Sequence, residues 1–264
     1  VTQRPDELDQ RDYVQSLERG LSVILAFADR HPRMTLSEVA AATGLTRPTA
    51  RRLLLTLQAL GYVRSDGRSF SLTPRVLALG YAYLDSLDLT AIAQPVLERI
   101  VSEAQEACTL ATLDGTEVVY VSRHAVRRTS SLTLAIGTRL PAYASAMGHV
   151  LLADLAPADL RRYFDTAELV RLTSRTLTTE AALEERLRTV RVQGWAVVDQ
   201  ELDEGTRSIA VPVRGGDGRV FAALGLSSSA RPVDELVERF LPMLQSGAAE
   251  ISAGLGSEYS RSHV

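Results

Sequence analysis

The chain has 264 residues, 45% of them hydrophobic, with 29 basic against 32 acidic side chains for a net charge of −3; at about 100 to 200 residues per domain, this length predicts two globular domains. All 29 are arginine and Cys108 is the single cysteine, which excludes chemistry that needs a Schiff-base or P-loop lysine, an internal disulfide, or a cysteine cluster for zinc. No apolar run approaches the ~20 residues of a membrane helix and residues 1–12 are charged without a signal-peptide core, so the protein is expected to be cytoplasmic, with no membrane partner.

Residues 1–12 are polar and predicted to be disordered, and a first domain is expected over 13–73. Residues 13–29 read as a helix whose Leu17, Leu21, Ile24 and Leu25 form an apolar stripe toward a three-helix core. The stretch 34–70, MTLSEVAAATGLTRPTARRLLLTLQALGYVRSDGRSF, then carries the marks of a helix-turn-helix followed by a hairpin wing. Thr35 and Glu38 form a capping box ahead of Leu36, Val39 and Ala40 on one helical face. Gly44 supplies a left-handed exit, Thr46 caps the next helix, and Pro48 sits in its first turn, where a missing N–H costs nothing. Ala50, Leu53, Leu54 and Leu57 recur at helical spacing and face the core. This leaves Pro48, Thr49, Arg52 and Thr56 on the opposite face, flanked by Arg47 and Arg51. Residues 62–64 and 68–70 alternate around Asp66-Gly67, a strong hairpin signal, with Arg64 and Arg68 on either side of the tip.

Charge weighs against the alternative of a helical bundle corner with incidental arginines. From 31 to 75, seven arginines stand against Glu38 and Asp66, a segment of +5 in a chain of −3. A basic patch on an acidic protein is the footprint of a phosphate-facing surface. Arg47, Thr49, Arg51, Arg52 and Thr56 are therefore candidate contacts to the major groove of double-stranded operator DNA, and Arg64 and Arg68 to phosphate or the minor groove.

Thr73 and Pro74 open a predicted linker helix over 74–88, apolar along Val76, Leu77, Gly80, Tyr81 and Leu84 and suited to dimerisation. A second domain is expected over 89–257. It begins with a helix carrying Val96, Leu97, Ile100 and Val101, followed by strands at 108–113, 117–124 and 132–136. A helix containing Ser145, Met147, Val150 and Leu151 comes next, then a short one after Pro157 and another over 179–193 with Leu183, Leu187 and Val190 on one side. Strands at 195–199, 208–213 and 219–227 and a long helix over 233–255 complete an α+β layout, an antiparallel sheet covered by helices.

Catalytic constellations are thin in this half. His124 and His149 lack a partner at metal-ligand spacing, no GxSxG elbow is present, and Ser145 with His149 reads as an ordinary helix pair. Gly215-Gly216-Asp217-Gly218 lies between strands, so it reads as a turn and not a phosphate cradle. Asp203 and Glu204 read as solvated loop charges, and Cys108 as a small buried hydrophobe. No catalytic residue, metal site or cofactor is expected.

Four separated strings, SLERGLSVILAF at 16–27, the reading helix and wing, GTRLPAYASAMGHVLLA at 137–153 and QGWAVVDQELDEGTRSIAVPV at 193–213, resemble the isocitrate lyase regulator (IclR) family of bacterial transcription factors. RDYVQSLERGL, GLTRPTARRLLLTL and LTPRVLALGYAYL look most like its regulators of aromatic-acid degradation through protocatechuate and the β-ketoadipate pathway. The resemblance implies a winged helix-turn-helix, a linker helix and a GAF-like effector-binding domain, assembled as a homodimer or tetramer. It also implies an effector pocket at Ala146, Met147, Ser208 and Ser227. There a helix start near Ala144 is expected to attract the carboxylate of a small aromatic or dicarboxylic acid, with hydroxyls from Ser145, Ser208 and Ser227 around it and Met147 against its ring. His149 stands where arginine or lysine is expected in relatives, which puts a permanent charge at that position in question. Two other readings are an enzyme on a small carboxylate with an appended DNA-binding domain, disfavoured by the missing constellation, and an architectural DNA binder, disfavoured by so large a second domain.

Overall fold

The computed structural model describes residues 12–27, 32–80, 89–126 and 134–262. The chain divides by its contacts into two compact units, Val1–Tyr83 and Leu84–Val264. The expectations for residues 1–11, Tyr81, Leu84 and 132–133 lie outside the described residues.

In the first unit, α1 (Gln15–Leu25), α2 (Leu36–Thr43) and α3 (Arg47–Ala59) precede an antiparallel hairpin of β1 (Val63–Ser65) and β2 (Phe70–Leu72). Val39, Ala50, Leu54 and Leu57 form the core as expected, with Met34 bridged to Phe70 at the foot of the wing. The stripe predicted for α1 is corrected. Ile24 packs against the core as expected and Val23 and Phe27 enter it, whereas Leu17, Leu21 and Leu25 are 63%, 47% and 69% exposed. This helix carries apolar residues on two faces, and a core of nine buried side chains accommodates only one of them. After β2, Pro74–Val76 form a 3-10 turn and residues 77–80 are helical, with Leu77 and Leu79 exposed.

The second unit is built on a six-stranded antiparallel sheet. Its strands are β3 (Ala107–Asp114), β4 (Glu117–His124), β5 (Arg139–Pro141), β6 (Ala196–Asp199), β7 (Arg207–Arg214) and β8 (Val220–Ser228), in the order β5-β4-β3-β8-β7-β6. One face packs on α4 (Leu89–Ala104) and on α8 (Leu241–Ser262), which is entered through a π-helical turn, Leu236–Phe240. Val96, Leu97, Ile100 and Val101 bury there as predicted, with Cys108, whose thiol burial pushes up to about 12. The opposite face is covered by α5 (Ala146–Ala153) and, behind it, α7 (Glu180–Gln193), while α6 (Pro157–Thr166) adds Tyr163 to the same core. Strands i, i+2 share a face, so Ser208 and Ala210 look toward α5 while Ile209 and Val211 look toward α8.

One predicted strand is displaced. Residues 134–136 hold no strand, and the edge strand is β5, pinned by Arg139 to Glu117 at 2.6 Å and to Asp114 at 2.8 Å. Pro141 fits there, since at a sheet edge its missing N–H breaks no ladder bond.

Candidate nucleic-acid interface and effector site

The reading helix is set by its ends. Glu38 Oε2 accepts the Thr35 N–H at 2.7 Å and Thr35 Oγ1 accepts the Glu38 N–H at 3.4 Å, the reciprocal cap expected for α2. Gly44, at φ 65°, turns the chain into α3, where Thr46 Oγ1 accepts the Thr49 N–H at 3.4 Å. Arg47, Pro48, Arg51, Arg52 and Thr56 are exposed together on α3. Thr49 is half-buried with its hydroxyl 2.9 Å from that of Thr46, and the Thr56 hydroxyl donates to the Arg52 carbonyl at 2.9 Å, so both threonines are partly committed to the helix itself. Leu55, 44% exposed on the same surface, was not singled out, because a Leu53-Leu54-Leu55 run reads as core until the helix phase is known.

The wing tip is wider than the two-residue Asp-Gly turn the sequence suggested. Ser65 pairs with Phe70, leaving a loop of Asp66, Gly67, Arg68 and Ser69. The Asp66 carboxylate closes it by accepting the backbone N–H of Ser69 at 2.7 Å and of Arg68 at 2.9 Å and the Ser69 hydroxyl at 2.8 Å. These bonds, the Ser69 N–H first, hold its carboxyl at about 2, so the loop stays closed throughout the neutral range. Arg68 is exposed on this loop, and Arg64 on β1 has its Nε on Ser71 Oγ at 3.1 Å. Arg75, counted in the sequence only as charge, stacks its guanidinium 5.5 Å from the Tyr62 ring centre at the wing base.

On the α5 side of the second unit, register decides which residues meet. Ser208 and Ser227 are Cα partners across β7 and β8, and two residues along, Ala210 pairs with Gly225. Met147 lies over Gly225, where a Cβ would meet its Cγ at 2.8 Å and its Sδ at 3.1 Å. Ala146 and Met147 are buried beneath the start of α5. The helix starts two residues later than expected because Ala142–Ala144 form a 3-10 turn, with Ser145 as the N-cap. Ser145 Oγ accepts the Gly148 N–H at 3.0 Å, which leaves its O–H as a donor. Gly148 is required there: a Cβ would come within 2.0 Å of the Ala142 carbonyl oxygen, a backbone atom with nowhere to go.

His149 points away from this surface. It is 0% exposed, and its Nε2 lies 2.7 Å from the Tyr143 carbonyl, which only accepts, so Nε2 carries the proton. Burial, reinforced by Arg186 and opposed by the Tyr143 bond, holds the imidazole down to about 4. The neighbouring Glu201, 4.0 Å away and 5% exposed, is raised by burial and neutralised by Arg186 at 2.9 Å. At neutral pH the His149 and Glu201 contact is therefore not an ion pair, and the position supplies no positive charge.

The sequence matches two family models, the IclR helix-turn-helix domain over residues 16–67 and the bacterial transcriptional regulator IclR C-terminal domain over 81–253. It is 46% identical over 243 residues to the Pca regulon regulatory protein of Pseudomonas putida, spanning 91% of this chain and 84% of that one. A crystal structure of a transcriptional regulator from Rhodococcus sp. RHA1 superposes with a TM-score of 0.83 at 46% identity, covering 93% of this chain and 99% of the other. An IclR homologue from Microbacterium hydrocarbonoxydans, crystallised with 4-hydroxybenzoate, superposes with a TM-score of 0.81 at 26% identity over 92% of this chain and 99% of that one.

Proposed function

Because the chain belongs to the IclR family of bacterial transcriptional regulators, and is thus a DNA-binding regulator and not an enzyme, we propose that a small aromatic acid of the hydroxybenzoate or protocatechuate type, held against Met147, sets its operator affinity. The observation that carries this reading is the pairing of Met147 with Gly225 directly beside the Ser208 and Ser227 pair. A thioether over a bare glycine adapts to a flat ring, and two hydroxyls at its edge orient polar substituents. The Pseudomonas relative regulates a Pca regulon and the Microbacterium relative binds 4-hydroxybenzoate, which supports the same class of effector here.

In this reading Arg47, Arg51 and Arg52, with Thr49, Thr56 and Leu55, face the major groove, Leu55 being suited to a thymine methyl. Arg64 and Arg68 hold the backbone from the wing. The regulator acts as a homodimer or tetramer, since one winged domain covers too little DNA for specific binding. Effector should shift operator affinity about 5- to 150-fold. Met147→Trp, which puts a bulkier side chain where the ring would rest, is expected to abolish that shift while operator binding without effector stays intact, as measured by fluorescence anisotropy on a labelled operator fragment. A tryptophan variant that still responds to 4-hydroxybenzoate or protocatechuate like the parent protein puts the pocket elsewhere.

A further inference from the structure

The sheet face beneath α5 carries three hydroxyls, those of Thr109, Ser208 and Ser227, with no hydrogen-bond partner among the described residues. Thr109 is only 4% exposed. Ser208 and Ser227 are half-buried, so the three hydroxyls form a polar strip on an otherwise apolar face, a few convergent donors and acceptors of the kind that orient a small ligand. The Thr109 row runs Arg123, Thr109, Gly225, Ala210 across β4, β3, β8 and β7. Register partners share a face, so Arg123 stands on the α5 side with Gly225 and Met147. A β-bulge between the Leu110 and Ala111 pairings produces this: it puts the consecutive Val121 and Ser122 toward α4 and returns Arg123 to the α5 side.

Arg123 is also spare. Its Nε donates to the Leu134 carbonyl at 3.0 Å, and it forms no ion pair among the described residues. A guanidinium has five N–H donors, so four remain in a fork that matches a carboxylate. Other arginines around this half of the unit are committed, Arg186 to Glu201, Arg139 to Asp114 and Glu117, and Arg207 to Asp199.

We propose that Arg123, with Thr109 beside it, binds the carboxylate of the effector. The aromatic ring then lies along the row against the side of Met147, which itself covers Gly225, and a ring hydroxyl meets Ser208 and Ser227. This rests on the effector reading above and moves the carboxylate from the start of α5, where the sequence had placed it, to the β3 and β4 side of the sheet. It predicts a preference for an acid with a polar group at the far end of the ring over a ring acid without one.

The test is isothermal titration of the full-length protein, its Arg123→Met, Arg123→Lys and Thr109→Val variants, with 4-hydroxybenzoate and with the uncharged 4-hydroxybenzamide. Arg123→Met is expected to weaken the acid at least tenfold and the amide little, Arg123→Lys to recover part of the loss, and Thr109→Val to weaken the acid by a smaller factor. Operator binding without effector, unchanged in each variant, shows that the fold survives. Arg123→Met protein that binds the acid like the parent, or that loses acid and amide equally, overturns the assignment while the pocket stands. Parent protein that binds neither compound overturns the hydroxybenzoate reading and this assignment with it.

Discussion

His149 shows how a single residue can change sign in an argument once its surroundings are known. In the sequence it stood in for an expected cation; in the fold it is a neutral donor to the Tyr143 carbonyl, buried beside a carboxylate that Arg186 already neutralises. Its pKa is depressed from 6.5 to about 4, so the unfolded chain binds its proton first. Its contribution to stability is complete above pH 6.5 and is lost as pH falls toward 4, by roughly 3 kcal/mol across that window. Glu201, shifted up, works the other way, since its desolvation cost is relieved as it protonates. Substituting His149→Gln keeps an amide donor for Tyr143 and removes the titration. Urea unfolding followed through Trp195, the only tryptophan, should show the parent losing more stability than the variant between pH 7 and 4.5. Parallel stability profiles would mean that His149 is not the group responsible.

At the scale of elements, α3 and the wing present arginines in two different settings. Arg52 projects from a capped helix, the setting expected for reading one base edge, whereas Arg68 sits on a loop whose backbone is held by Asp66, the setting expected for a phosphate contact. Arg52→Ala is expected to cost about 1 to 3 kcal/mol on the operator and relax one base position. Arg68→Ala should weaken operator and random DNA alike and flatten the salt dependence by about one unit of slope. Anisotropy titrations across a salt series on both DNAs separate the two, and equal losses on both DNAs for Arg52→Ala would remove it from base reading.

For the whole molecule, the outward-facing leucines of α1 carry the consequence. Leu17, Leu21 and Leu25 lie on a helical stripe that does not enter its own core, and Leu77 and Leu79 of the same unit are 73% and 50% exposed. Apolar side chains repeated on one exposed face mark an interaction surface more often than a solvated one. A two-fold dimer through this surface would present two reading helices to a palindromic site. Leu21→Glu with Leu25→Glu is expected to give monomer by light scattering at micromolar concentration and to lower operator affinity strongly. Dimers of unchanged stability in that variant would place the interface elsewhere.

What the sequence determined by itself were the features that depend on a few consecutive residues: the Thr35 and Glu38 box, the Gly44 exit, the Thr46 cap with Pro48, the helix that buries Leu183, Leu187 and Val190, and the Gly215 to Gly218 turn. Each is a short-range balance of backbone hydrogen bonds and one apolar face, so local order is enough to specify it. The tertiary structure alone decided which stripe of α1 is buried, that 139–141 forms the edge strand, and that Thr109 and Arg123 share a face with Gly225 and Ser227. The first is set by how α1 packs on the other helices and the second by the pairing of Glu117–Val119 with Arg139–Pro141; the third rests on register between segments more than 100 residues apart and on a one-residue bulge that turns Arg123 to the opposite face, and no local periodicity encodes any of them.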